Sequence, residues 1–210
     1  MPALKGSLTY TRYFVVGDLP AGFQEKYLKA IRLRAMRPLE PDDEATERSG
    51  WCALGEGGTE GTTDLGFEDV FFNDYINLGF RTDRWMIPGS LLRARMREAE
   101  RAYLQKKGRE RLSRKERLEL KELVSRKLRR QLTPATRVVD VSWSLDEGVV
   151  RFFSHAAKLG ALLEALFAKT FALKLVAEAP YTLAARMGLR ADQEQRWDSL
   201  EPTNLATPEP

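Results

Sequence analysis

Cysteine and histidine are almost missing from this sequence, and their scarcity removes several function classes at once. The single cysteine, Cys52, has no partner for an internal disulfide. The single histidine, His155, leaves no His/Cys cluster of the kind that zinc or non-haem iron sites need. A zinc enzyme, a thioredoxin-like redox protein and a disulfide scaffold are therefore not expected. No Ser/His/Asp or Cys/His arrangement supports a nucleophile. Long apolar runs are also missing: the most apolar window, Ala156 to Ala177, is broken by Lys158, Glu164, Lys169 and Lys174, so it reads as core and not as a membrane span. Met1 to Ser7 holds no apolar stretch of the length a secretory signal requires, which predicts a cytoplasmic protein with no membrane partner. Residues 55 to 66 contain five glycines and no basic residue, so they read as a flexible loop. Neither phosphate-cradling glycine pattern is present, and Glu56, Glu60 and Asp64 would repel phosphate.

What is there is globular in kind. The chain has 210 residues, 43% hydrophobic and 30% charged, enough for one ordinary domain or two small ones. Its net charge of +4 hides an asymmetry. Residues 88 to 131 carry sixteen Lys/Arg against six Glu, a net of +10, and the rest of the chain is left at −6. That is the footprint expected of a protein with a polyanionic partner, against the plainer reading of a solvated helix surface.

Periodicity sorts the chain into an α+β order. Leu8 to Val16 reads as a strand, closed by Gly17-Asp18-Leu19-Pro20. Phe23 to Met36 has the helical period, and Pro38 to Glu44 reads as an acidic surface loop. Trp51 begins a short buried element in which Cys52 packs as a small hydrophobe. Phe67 to Phe72, Tyr75 to Thr82 and Trp85 to Ile87 read as antiparallel strands with turns at Asn73-Asp74 and Asp83-Arg84. From Pro88 a basic helix runs to about Lys107, Gly108 interrupts it, and Ser113-Arg114-Lys115-Glu116 is a capping-box sequence that opens a second basic helix to about Gln131. The two make an αα-hairpin or one bent helix. Thr136 to Ser144 and Val149 to Phe153 form a hairpin around Asp146-Glu147-Gly148. Ser154 is placed to cap the Leu-rich helix that follows, His155 reads as a helix-start residue, Leu173 to Ala177 is a strand and Tyr181 to Met187 a closing helix. The organisation is an N-terminal α+β portion at 1–87, a basic helical limb at 88–132, a hairpin, helix and strand portion at 133–188, and a Pro-rich, acidic, disordered tail at 189–210. The expected fold is α+β, antiparallel strands packed on helices with an extended basic helical hairpin.

The limb is the informative feature. Arg93, Arg97, Arg101, Lys106, Lys107, Arg109, Arg111, Arg114, Lys115, Lys121, Arg126, Lys127, Arg129 and Arg130 are its DNA-binding candidates, with Arg95 and Arg117 among them on several sides of both helices. Such density suits sequence-independent phosphate contacts more than base reading. Tyr103 is the limb's one aromatic, so the stacking platform of single-strand binders is not evident. Two other readings compete. Asp64, Glu68, Asp69 and Asp74 crowd one stretch, as a metal-dependent nuclease would need. The basic hairpin could instead dock on an acidic protein. No cofactor, resident metal or catalytic residue is expected under the DNA reading.

Order and short motifs together resemble the recombination-associated RdgC family of bacterial nucleoids. The resemblance rests on the Lys5 to Tyr13 opening with Tyr10 and Arg12, the Gly50-Trp51 step and the strand pair running into Ile87-Pro88. It continues through Lys106-Lys107 and Lys115-Glu116, then Leu132 and Pro134 ahead of a strand with Trp143, the Asp146 to Gly148 turn, and a Leu-rich helix ending near Phe171. It spans about residues 5 to 180. The resemblance implies a homodimer that encloses duplex DNA in a positively charged ring, binds without sequence preference, and restrains RecA-driven strand exchange. It carries Lys106, Lys107 and Lys115 over as DNA-facing. The chain reads Leu132-Thr133-Pro134-Ala135-Thr136 where the family tends to have Leu-Pro-Arg-Ala-Phe.

Overall fold

A computed structural model describes residues 9–54 and 61–200. Seven antiparallel strands form one sheet that curls into a half-barrel, with helices packed alongside, so the fold is α+β. In chain order the elements are β1 (Thr11–Val16), α1 (Phe23–Leu33), β2 (Glu47–Cys52), α2 (Phe67–Val70), β3 (Phe71–Phe72), β4 (Tyr75–Arg84), α3 (Gly89–Lys107), α4 (Arg114–Arg129), β5 (Ala135–Ser144), β6 (Val149–Phe152), α5 (Ala157–Phe171), β7 (Lys174–Ala177), α6 (Pro180–Arg186) and α7 (Ala191–Asp198). The strand order is β2-β4-β5-β6-β1-β7, and β3 pairs with β4 beside the end of β2.

Alternation along the strands decides which face is core. Ile76, Leu78 and Phe80 on β4 stand opposite Trp143, Val141 and Val139 on β5, and Val150 and Phe152 continue the layer on β6. All are buried. Onto this face α5 brings Leu163, Phe167 and Phe171, and α1 brings Tyr27 and Ile31. Trp143 lies 5.1 Å from Phe167 and 5.3 Å from Phe171, ring centre to ring centre, and Tyr27 lies 5.0 Å from Phe171. Trp51 joins them at 0% exposure, and its indole N–H donates to Thr170 Oγ1 at 2.8 Å. The Thr170 hydroxyl in turn donates to the Leu166 carbonyl at 2.7 Å.

Glycine is required beside Trp51. A Cβ on Gly50 would fall 2.6 Å from the backbone of Met36, because residues 34–36 run against β2 through bonds from Met36 N–H to Trp51 O and from Trp51 N–H to Arg34 O.

Several local expectations are corrected. Asp83 and Arg84 continue β4 and do not turn, and Trp85 to Ile87 is not a strand. Asp83 tolerates the sheet because the Arg81 guanidinium holds it with two bonds, at 2.9 and 2.8 Å, and Thr136 Oγ1 donates to it at 2.9 Å. Phe67 to Val70 is a helical turn, closed by a bond from Gly66 N–H to Asp69 Oδ2. Trp51 is the next-to-last residue of its strand instead of the first. Ser154 lies before the α5 cap, which is Ala156, and accepts the Ala156 N–H at 3.2 Å. The tail read as disordered contains the helix α7, whose Trp197 faces Tyr181. Residues 1–8, 55–60 and 201–210, which hold the start of the Lys5 opening, half of the glycine loop and the end of the tail, lie outside the described residues. No helix among the described residues is long and apolar enough to cross a membrane.

Thr170→Val tests the seam between α5 and the sheet. It keeps side-chain volume but strands the buried Trp51 N–H, at a cost of about 1–3 kcal/mol. Urea unfolding is expected to show that loss with an unchanged m-value.

Candidate nucleic-acid interface

The basic limb is an insertion between two paired strands. Arg84 at the end of β4 stands opposite Ala135 at the start of β5, so the stems of α3 and α4 leave the sheet one strand spacing apart. The Arg81–Asp83–Thr136 clasp ties β4 to β5 at that root. α3 then runs nineteen residues, about 28 Å at the α-helical rise, without burying one side chain. Gly108 ends it in the left-handed conformation at φ 61°, where a side chain would be strained.

The capping box opens α4 as its sequence predicts. Glu116 N–H donates to Ser113 Oγ at 3.2 Å, and Ser113 N–H donates to Glu116 Oε2 at 2.9 Å. The other oxygen of Glu116 accepts the Tyr103 hydroxyl at 3.1 Å and Arg109 at 3.3 Å, which joins the two helices near the tip. These donors, the Ser113 amide foremost, hold the Glu116 carboxyl below its ordinary range. The same contact pushes the Tyr103 phenol up. Further down, Arg117 reaches across to Glu100 at 3.0 Å. The two helices are thus a hairpin and not one bent helix.

Only toward its end does α4 carry buried side chains, Val124 and Leu128. There the acidic loop closes on the limb. Arg129 donates to the Asp43 carbonyl at 2.8 Å, Arg130 reaches both oxygens of Asp42 at 3.1 and 2.9 Å, and Arg48 holds the Asp43 carboxylate at 2.9 Å.

This divides the candidates. Arg109, Arg129 and Arg130 are engaged by the protein's own oxygens, as are Arg95 and Arg117. Lys107 lies 6.0 Å from the Tyr103 ring centre. Among the described residues, Arg93, Arg97, Arg101, Lys106, Arg111, Arg114, Lys115, Lys121, Arg126 and Lys127 have no hydrogen-bond, ion-pair or ring partner, and all are exposed. The cations lie on several sides of both helices, yet Arg93, Arg97 and Arg101 follow one another at four-residue steps along one side of α3, a spacing visible in the sequence. Across from them Arg117 and Lys121 of α4 complete a groove.

The other constellations have local roles. Asp64, Glu68, Asp69 and Asp74 are exposed, Asp69 closes α2, and the Asp74 carbonyl accepts Leu145 N–H. Among the described residues no group of three or more His, Cys, Asp or Glu is placed to hold a metal ion. His155 is exposed, with Nδ1 3.4 Å from Thr11 Oγ1. Cys52 is buried, and that burial pushes its thiol up to about 11. No protein-family model matches the chain, and no curated protein matches it.

The cap can be tested through its own carboxylate. A folded-state pKa held below the unfolded value stabilises the hairpin above the unfolded pKa and loses that contribution as pH falls through the folded one. The carboxyl resonance of Glu116 is therefore expected to titrate below that of an unstructured glutamate. Ser113→Ala, expected to cost about 1 kcal/mol, should move its midpoint upward; an unmoved midpoint would contradict the capping box.

Proposed function

We propose that this chain binds DNA without sequence preference through its α3–α4 limb, as an architectural protein of recombination. One observation carries the reading: a helical hairpin that projects from the body holds ten basic side chains with no partner among the described residues. Unpaired guanidinium and ammonium groups on a projecting rod suit a phosphate backbone, whose neutralisation releases counterions. A rod with one aromatic residue offers little to unstacked bases, which favours duplex over single strands. The resemblance to the RdgC family adds the finer part: a homodimer that encloses the duplex, nucleoid association, and restraint of RecA-type strand exchange. Lys106, Lys107 and Lys115, near the tip, are where the resemblance and the charge coincide.

The test is duplex binding in chelator at several salt concentrations, with a Lys106→Glu, Lys107→Glu, Lys115→Glu variant beside the wild type. With six or more phosphate contacts, affinity falls by about a thousand-fold between roughly 50 and 200 mM salt. Unrelated duplexes are expected to bind alike. The variant is expected to bind more weakly, with the logarithmic salt slope reduced by about 0.9 for each lysine that meets a phosphate. A preference of several kcal/mol for one sequence, or a variant that binds like the wild type, would overturn the proposal.

A further inference from the structure

The groove between α3 and α4 differs from the rest of the limb. It holds about 750 Å³, within the range of small-ligand clefts. Its walls are cationic: Arg93 and Arg97 from α3, and Arg117 and Lys121 from α4. Its one carboxylate, Glu100, is already engaged by Arg117, so Arg93, Arg97 and Lys121 have no carboxylate partner within the groove, though Lys121 also borders the neighbouring cleft of Asp43, Glu44 and Glu122. Leu92 and Met96, both half-buried, add an apolar surface one helical turn apart.

Phosphate binding alone gives no use to that apolar surface. We infer that the groove is a docking site for an acidic peptide segment of another protein, one that carries an apolar side chain among its carboxylates. Charge complementarity selects the anion, and Leu92 with Met96 selects the apolar anchor. Methionine suits such a site, because its flexible thioether adapts to different side chains. An unstacked nucleobase is the less fitting occupant: no aromatic ring lines the groove to stack on it. Arg93, Arg97 and Lys121 would be shared with DNA, so duplex and peptide are expected to compete. The inference does not rest on the DNA reading, and peptide binding would stand if duplex binding failed.

The experiment uses the full chain and two fluorescein-labelled peptides, Glu-Asp-Leu-Phe-Asp-Glu and Glu-Asp-Ser-Ser-Asp-Glu, read by anisotropy at physiological salt. The first is expected to bind saturably, and the second about ten-fold more weakly, the worth of burying apolar side chains. Leu92→Ser with Met96→Ser is expected to erase that difference and leave duplex binding unchanged. Arg97→Glu with Lys121→Glu is expected to abolish binding of both peptides. This second pair alters only exposed side chains, so it tests the groove even if the serine pair unfolds the limb, which circular dichroism would reveal. Equal binding of the two peptides, or no binding of either, would overturn the inference. So would a single-stranded oligonucleotide whose binding the serine pair removes, or self-association that it removes; these would assign the groove to nucleic acid or to a second copy.

Discussion

The structure depends on one aromatic layer. Trp51, Trp143, Phe80 and Phe152 from the sheet meet Tyr27 from α1 and Phe167 and Phe171 from α5, and each such ring buries on the order of 150–250 Å². Filling that layer uses both amphipathic helices of the body. The chain between β4 and β5 then has no apolar face left to cover. Apart from Val124 and Leu128, its helices bury no side chain, and they project. The limb's exposure follows from how completely the body satisfies itself.

Electrostatics then sorts the limb's charges by depth. At the root, Arg81 and Asp83 lie inside the sheet and are held by paired, short bonds, since a buried carboxylate without its partner would cost several kcal/mol. One layer out, Arg129 and Arg130 clasp the acidic loop, and Arg48 braces that loop from the sheet side. Beyond it the pairs Arg117–Glu100 and Arg109–Glu116 are exposed on the arginine side, where water screens them and each contributes little to stability. They align the two helices without neutralising the limb.

Much of this was legible in the sequence, for reasons that separate the successes from the misses. The α5 helix, the β5–β6 hairpin and the capping box announce themselves through local pattern: a broad apolar face, period-two alternation around a turn, and a serine three residues before a glutamate. β4 was cut short because Asp83-Arg84 has the composition of a turn. What makes it strand is Thr136, fifty-three residues away, and composition carries no such signal. Phe67 to Val70 is equally compatible with a strand or a helical turn, and the Gly66–Asp69 bond decides it. The basic residues were all visible. Which of them are spent internally was not, because Asp42, Glu100 and Glu116 meet their arginines only once the hairpin has closed.

Insertion between paired strands also fixes how the charged hairpin is anchored to the body. Its two stems are tied by the β4–β5 register and by the clasp at Asp83, so the direction in which it leaves the body is set by the sheet. Toward the tip Glu116 ties the ends together: it caps α4 and accepts from Tyr103 of α3 and Arg109 of the connecting turn at once. Between root and tip lies the groove of Leu92, Met96 and their arginines, where the helices are bridged by Arg117 and Glu100. The limb is thus held at three places, the sheet register, the Arg117–Glu100 bridge and the Glu116 cap, and the outer cations take their positions from these.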